Sequence, residues 1–194
     1  MNIYLYLILN LTALVFGYYV FRVSVRRDYE SKGELSKYST ALEFLIFALH
    51  ANLSYTFIPA KWPLLPPLPE NKLLLGFGFG LMALGLIMTL WTMSGLGFKK
   101  TLGHNQHSGL KRTGFYNYVR NPQIVFYSII IIGLAMLWPS LYALGWLLVY
   151  AAIAHMMVRT EEEHLLRVFG DEYREYCKEV GRYLPRVINR KKSK

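Results

Sequence analysis

Five stretches of this chain are apolar for long enough to cross a lipid bilayer, or nearly so. A membrane-spanning helix needs about 20 mostly apolar residues, because the hydrocarbon core is about 30 Å thick. The candidate spans are Ile3–Val23, Thr40–Pro59, Leu73–Met93, Gln123–Trp138 and Leu141–Val158. The last two are short and only Pro139 and Ser140 separate them, so we expect a tight helical hairpin. The sequence predicts an all-α integral membrane protein with five transmembrane helices.

The first span begins almost at the N-terminus, where a removable signal peptide would also lie. It lacks both a basic region before the apolar run and a small-residue cleavage site after it. We therefore predict that Ile3–Val23 is a permanent span.

The composition agrees with a membrane protein and narrows the partners. Hydrophobic residues make up 54% of the chain and charged residues 18%, below the usual figure of about 25%, yet the net charge is +10. The basic residues flank the apolar runs, which favours lipid over nucleic acid as the partner. The single cysteine, Cys177, excludes an intrachain disulfide and a Cys-rich metal site, and we expect it to be an ordinary helix residue.

The basic residues are unevenly divided between the two sides of the predicted bundle. Lys61 and Lys72 flank the Pro-rich loop between the second and third spans. The other loops and the tail from Arg159 carry most of the remaining lysines and arginines. By the positive-inside rule we predict an N-terminus outside the cell membrane and a C-terminus in the cytosol.

Two long polar segments fall on the predicted cytosolic side, and we expect the protein to act there. They are the connection over residues 95–121 and the tail over residues 159–194. The chain is predicted to form one membrane domain, in which two N-terminal spans over residues 1–60 precede a core over residues 72–194.

A short polar run, "RTGFYNYVRNPQ", ends where the fourth span begins. Pro122 suits the first turn of a helix, because its missing N–H would have had no helical partner. The free N–H groups and positive end of that helix can receive an anion such as a carboxylate. Tyr116 and Tyr118 can cover an aromatic ring or a cation.

The tail continues the fifth span with a second polar motif, "RTEEEHLLRVFGDEYREY". If the helix is continuous, His155, Arg159, Glu162, Glu163 and Leu166 share one stripe. Arg159 and Glu163 then form either an ordinary i,i+4 ion pair, worth a few tenths of a kcal/mol, or a fixed cation at the lipid–water boundary. Apolar and aromatic residues at helical spacing predict that this helix docks on another part of the protein. They are Leu165, Leu166, Phe169, Tyr173 and Tyr176.

Other polar residues and glycines within the spans allow two interpretations each. Glu43 and His50 lie on one face of the second span, where they are either functional or, for Glu43, simply within reach of the interface. Gly76 and Gly80 favour close helix packing over a dinucleotide loop. His104 and His107 lack the further ligands that zinc requires, so no metal is expected and a ligand or backbone contact is favoured.

Together, "SGLKRTGFYNYVRNPQ" and "RTEEEHLLRVFGDEYREY", with a hairpin between them, resemble the isoprenylcysteine carboxyl methyltransferase family. The resemblance implies an integral membrane enzyme that uses S-adenosylmethionine. It implies a catalytic Glu163 that also contacts the cofactor, and a catalytic Arg159 that holds the substrate. The other implied cofactor contacts are His104, His107, Ser108, Gly109, Leu110, Tyr116, Tyr118, Asn121, Pro122, Gln123 and Ile124. The family usually has histidine where this chain has Asn121, so proton transfer at this position is excluded.

The reaction implied is methyl transfer from S-adenosylmethionine to the carboxylate of a prenylated cysteine, in a peptide or a small molecule. The lipid tail of the substrate would enter from the membrane lipids, and the protein is expected to be a monomer. One alternative is a phospholipid or amine N-methyltransferase of the same superfamily, for which the Glu-rich run is the argument. The others are a sterol-reductase relative that binds a nicotinamide cofactor and a non-enzymatic membrane scaffold.

Overall fold

The computed structural model describes residues 2–61, 64–96, 109–110 and 112–186. Within these residues the fold is helical, apart from one isolated bridge between Val119 and Gly181. The helices are α1 (Ile3–Tyr18), α2 (Arg26–Ser31), α3 (Lys37–Leu53), α4 (Lys72–Leu96), α5 (Pro122–Leu137) and α6 (Leu141–Glu179). A π-helical segment, Tyr19–Val25, joins α1 to α2, so Ile3–Ser31 forms one rod.

Three helical segments among the described residues are long and apolar enough to cross a membrane: Ile3–Ser31, Lys72–Ser94 and Leu141–Glu179. The predicted second and fourth spans correspond to shorter helices of 17 and 16 residues, α3 and α5. The predicted all-helical membrane class is therefore confirmed for the described residues, with three spans supported by length and composition.

The predicted second span, Thr40–Pro59, is shifted in the structure. Ser36 caps α3 by accepting a hydrogen bond from the Ser39 backbone N–H, so the helix begins at Lys37. It ends at Leu53, where the chain tightens into the short 3₁₀ turn Ser54–Thr56.

Helices α4 and α5 touch through glycine, but not through the glycines that the sequence suggested. A Cβ atom added at Gly85 would lie 2.7 Å from the Phe126 carbonyl oxygen, and one at Gly133 would lie 2.7 Å from the Gly78 carbonyl oxygen. Gly76 and Gly80 have no atom within 4 Å of such a Cβ, so their predicted packing role is wrong. They share one face of α4, and the contact face carries Gly78 and Gly85.

Helix α6 continues from the hairpin into the tail as far as a kink at Gly170, so the predicted stripe from His155 to Leu166 lies on one continuous helical segment. Gly170 has φ +51° and ψ −121°, a conformation that glycine adopts far more readily than other residues, and it bends the helix. Beyond this elbow Tyr173 and Tyr176 are buried, and the Tyr176 hydroxyl donates to the Tyr116 carbonyl oxygen at 2.6 Å. The tail therefore docks, as expected, and its partner is the polar link over residues 112–121 that precedes α5.

The N-terminal helices pack on the other side of α6. His50 of α3 is buried, and its Nε2 lies 3.0 Å from the Trp146 carbonyl oxygen. Trp146 Nε1 donates to the His50 carbonyl oxygen at 2.7 Å, and the two rings stack 4.6 Å apart. This reciprocal contact gives His50 a structural role in the packing of α3 against α6.

Candidate functional site

The polar link before α5 contacts the tail at Gly181, just after the end of α6. Arg120 N–H donates to the Gly181 carbonyl oxygen at 2.8 Å, next to the Val119–Gly181 bridge. A 3₁₀ turn over Gly114–Asn117 precedes this contact, and α5 starts directly after it. The link is therefore fixed to the tail immediately before the helix begins.

Glu162 of α6 collects the polar groups of this region. Arg182 donates to its Oε2 from Nη2 at 2.7 Å and from Nε at 2.9 Å. Arg120 Nε lies 3.2 Å from Oε1, and Asn121 Nδ2 donates to the same oxygen at 3.3 Å. The side chains of Glu162 and Arg120 are only 10% and 9% exposed, so these two charges are paired away from bulk water.

Asn121 binds the tail instead of capping its own helix. Its Nδ2 also reaches the Arg182 carbonyl oxygen at 3.3 Å, and no side chain caps the first turn of α5. Pro122 occupies the first turn, as predicted. The N–H groups of Gln123 and Ile124 at this helix end therefore lack a side-chain cap.

Tyr116 lies between this helix end and the tail. Its hydroxyl donates to the Gln123 Oε1 atom, and its carbonyl oxygen receives the Tyr176 hydroxyl. Burial, together with the nearby Glu161 and Tyr176, raises the pKa of Tyr116 well above its ordinary value. Tyr116 is therefore a neutral hydrogen-bonding group at every physiological pH.

Tyr118 points to a different place from the Glu162 cluster. It is 64% exposed. It lines a cavity of about 540 Å³ together with Tyr116, Phe115 and Trp91 at the end of α4. An aromatic cavity of this volume falls in the usual size range of small-molecule sites.

Glu163 and Arg159 do not form the ordinary ion pair with each other that the sequence suggested. Glu163 Oε1 lies 3.0 Å from Arg22 Nη2, and Arg22 Nη1 donates to Thr160 Oγ1 at 3.0 Å. Arg159 is exposed, and no hydrogen bond or ion pair to it is found among the described residues. Both residues nevertheless line one cavity of about 380 Å³ that also includes Arg120 and Glu162.

Four residues of this region were not among the predicted site residues: Arg120, Glu161, Glu162 and Arg182. Burial, and to a smaller extent the Glu162 charge, raises the pKa of Glu161 to about 7. Three successive glutamates point about 100° apart around a helix, so the sequence could not tell which of them faced the polar link. One feature of the sequence could have indicated this cluster. Arg120 and Asn121 are adjacent hydrogen-bond donors just before a helix, and such donors need an acceptor on a neighbouring element.

The remaining predicted cofactor contacts are partly visible. His104, His107 and Ser108 lie outside the described residues. Gly109 has φ +76°, and Leu110 packs against the buried cluster of Tyr173, Tyr176 and Val180. The connection thus returns to the tail beyond the elbow.

A family model described as phospholipid methyltransferase matches residues 73–172, just over half of the chain. The chain belongs to this family and is a membrane methyltransferase. The family lies in the isoprenylcysteine carboxyl methyltransferase-like superfamily, so the resemblance carried by the two motifs is confirmed.

Two further comparisons add no relative. Among curated proteins nothing matches the chain significantly. No solved structure matches it significantly either.

The matched segment contains the first polar motif and residues 159–172 of the second, so the chain is an S-adenosylmethionine-dependent methyltransferase by family. It ends before Arg182 and begins after α3. The N-terminal helices and the last partner of Glu162 therefore come from outside the family match.

Proposed function

We propose that the chain transfers a methyl group from S-adenosylmethionine to the carboxylate of a prenylated cysteine at the cytosolic boundary of the cell membrane. One observation carries the proposal. The contacts of Glu162 with Arg120, Asn121 and Arg182 join the start of α5 to the acidic start of the tail. The two motifs that are far apart in sequence thus form one polar cluster at the end of the apolar helices.

Several residues match functional groups of the cofactor, although Tyr118 and Glu163 line different cavities. The uncapped first turn of α5, at Gln123 and Ile124, suits the carboxylate of the methionine part. The aromatic cavity beside Tyr116 and Tyr118 suits the adenosine part. Glu163 is proposed to hold an amino or hydroxyl group, and the segment from His104 to Leu110 to close the site. When bound, S-adenosylmethionine supplies an electrophilic methyl group on a sulfonium.

Arg159 is proposed to hold the acceptor carboxylate. Its guanidinium has no carboxylate partner among the described residues, and its planar fork matches two carboxylate oxygens. A carboxylic acid with a pKa near 4 is already ionised at pH 7, so no general base is required. Orienting the carboxylate oxygen in line with the methyl group then supplies most of the rate, and alignment of this kind contributes about 7–11 kcal/mol in favourable cases.

A second candidate acceptor is an amine on a phospholipid. The matched family is named for phospholipids, and Glu161, with a pKa near 7, could take the proton that an ammonium must lose before attack. In this version Glu161 replaces Arg159 as the residue on which acceptor activation depends.

The placement in the membrane is part of the proposal. The distribution of lysine and arginine puts the N-terminus outside and the C-terminus in the cytosol, with the prenyl chain entering from the bilayer. The cofactor then arrives from the cytosol. The proposed active unit is a monomer.

The test is transfer of labelled methyl from S-adenosylmethionine by the purified full-length chain. The acceptors are a farnesylated cysteine analogue and, separately, phosphatidylethanolamine. We expect label on the cysteine analogue that mild base releases as methanol, because a methyl ester hydrolyses and an N-methyl group does not. We expect Arg159→Ala and Glu163→Ala each to lower this transfer at least tenfold.

Lys178→Ala is the control, because Lys178 is an exposed cation of α6 that pairs with Glu175 and lines neither cavity. It should keep nearly full activity. Base-stable label on the phospholipid, lost in Glu161→Gln but not in Arg159→Ala, would replace the carboxylate proposal with the amine one. Transfer that survives both site substitutions would remove the assignment of Arg159 and Glu163.

A further inference from the structure

The elbow at Gly170 turns α6 into the wall of a concave site. Arg159, Glu162, Glu163 and Leu166 come from the helix before the elbow. Tyr173, Arg174 and Cys177 come from the helix after it, and Arg182 and Arg120 complete the wall. Because Gly170 has a positive φ, both halves of the helix present side chains to the same space of about 380 Å³.

The wall of this cavity is cationic. Four arginines and two glutamates line it, so the formal sum is +2. Both glutamates already have cation partners: Glu162 binds Arg120 and Arg182, and Glu163 binds Arg22, which lies outside the wall. No carboxylate of the wall is left to neutralise the remaining guanidinium groups.

The arginines also keep unused donors. A guanidinium has five N–H donors. Arg182 places two nitrogens on Glu162, and Arg174 places one on Asp171, whose side chain is 89% exposed. The cavity therefore offers several N–H groups to an anion that enters from outside.

The cavity also lies at the lipid boundary. Arg159 follows the last residue of the apolar run, Val158, and Leu166 at the cavity wall is 38% exposed. A molecule that occupies the cavity can therefore keep a hydrocarbon chain beside α6 while its polar end meets the arginines. A lipid phosphate fits such a setting, because the arginine fork matches its oxygens and the group carries a hydrocarbon chain.

We propose that this elbow cavity binds the phosphate head group of an anionic membrane lipid, with Arg174 and Arg182 as its principal ligands. The site shares its cavity with Arg159, the proposed acceptor position, but its two ligands lie beyond the elbow, and it does not depend on which acceptor is methylated. The lipid anchors the bent part of α6 to the membrane surface. Each arginine near an anionic surface strengthens binding about fivefold.

The experiment measures binding of short-chain phosphatidic acid to the full-length chain in a zwitterionic detergent, by native mass spectrometry. Phosphatidylcholine of the same chain length and inorganic phosphate are the comparison ligands. Arg174→Gln should weaken phosphatidic acid binding about fivefold, and Arg174→Lys should weaken it less. The matched control is Lys178→Gln, because Lys178 is a neighbouring exposed cation with the same kind of i,i+3 pair and does not line the cavity.

Arg174 lies outside the proposed catalytic set and its side chain is 64% exposed, so Arg174→Gln should fold and retain methyl transfer. This makes a failure of the inference distinguishable from a failure of the proposed function. Equal binding of the two lipids, or equal losses in Arg174→Gln and Lys178→Gln, would overturn the inference. Inorganic phosphate that binds as tightly as phosphatidic acid would assign the cavity to a free anion and would also overturn it.

Discussion

The helices inside the family match and the helices before it are held by different kinds of contact. Between α4 and α5 the backbones approach so closely that Gly85 and Gly133 have no room for a Cβ atom. Between the N-terminal helices and α6, long side chains span the gap. Tyr6 donates to the Tyr142 carbonyl oxygen at 2.7 Å, and Arg22 meets Glu163 at 3.0 Å.

These side-chain contacts continue along α6 past its apolar part. Tyr29 stacks on His164 with ring centres 4.1 Å apart, and Glu30 meets Arg167 at 2.8 Å. The N-terminal helices thus brace the stretch of α6 that carries Glu161, Glu162 and Glu163. The segment inside the family match therefore supplies most of the two polar motifs. The N-terminal helices outside the match position residues 161–163 through contacts with α6.

The largest effect is expected at Glu162, which joins the polar link before α5 to α6. Glu162→Gln leaves the buried Arg120 guanidinium and Arg182 without their carboxylate, and breaking a buried pair of this kind costs about 3–5 kcal/mol. We expect a large fall in the thermal unfolding temperature together with loss of methyl transfer. Glu163→Gln is the comparison for stability, because its side chain is 33% exposed and has one ionic partner, and it should cost far less. Equal stability losses would mean that Glu162 is not the centre of the core.

The glycine contact is expected to give the next largest effect. Gly85→Ala places a Cβ atom against the Phe126 carbonyl oxygen and should destabilise the protein by about 1–3 kcal/mol, as overpacking does. Gly80→Ala on the same helix meets no atom within 4 Å and should be neutral or slightly stabilising. Thermal unfolding of the two variants in one detergent measures the difference. If Gly80→Ala were the more damaging, the assigned contact face of α4 would be wrong.

Arg22 lies outside the family match, and its substitution tests whether the N-terminal helices position Glu163. Arg22→Ala releases Glu163 and Thr160, and we expect methyl transfer to fall roughly three- to tenfold with about 1 kcal/mol of stability lost, since the pair is partly exposed. Arg26→Ala removes an exposed i,i+4 pair with Glu30 on the neighbouring turn and should change either measure by little. Full activity in Arg22→Ala would show that the N-terminal helices do not position Glu163.

The last expected effect is the pH dependence of stability that Glu161 contributes. Its pKa of about 7 lies above its ordinary value of 4.5, so between these values the folded protein holds a proton that the unfolded chain has released. Stability should therefore decline as pH rises through this window. Glu161→Gln should flatten the decline, measured as the unfolding temperature from pH 5 to pH 8. A slope that is unchanged in the variant would place the titration on another group.

The helical class and the hairpin could be predicted, because apolar length and helix-start chemistry are local properties of the sequence. That the two motifs meet followed only from the family resemblance. The contact face of α4 could not. Gly76, Gly78, Gly80 and Gly85 differ only in their direction around the helix, and that direction is set by α5.

The partner of Glu163 was hidden for a related reason. Within α6 the nearest cation is Arg159, four residues away, but Arg22 reaches the carboxylate from a helix about 140 residues earlier. Local spacing predicts which side chains can meet on one helix. It does not predict when a neighbouring helix offers a better-placed charge.

The bridge between Val119 and Gly181 has a consequence for how the protein is made. The two residues that it joins are separated in sequence by the whole of α5 and α6, so the bridge can form only after both helices have been synthesised. Arg182, the strongest partner of Glu162, emerges from the ribosome later still. The N-terminal helices and the glycine-packed pair can settle into the bilayer first, and the polar cluster is the final step of assembly.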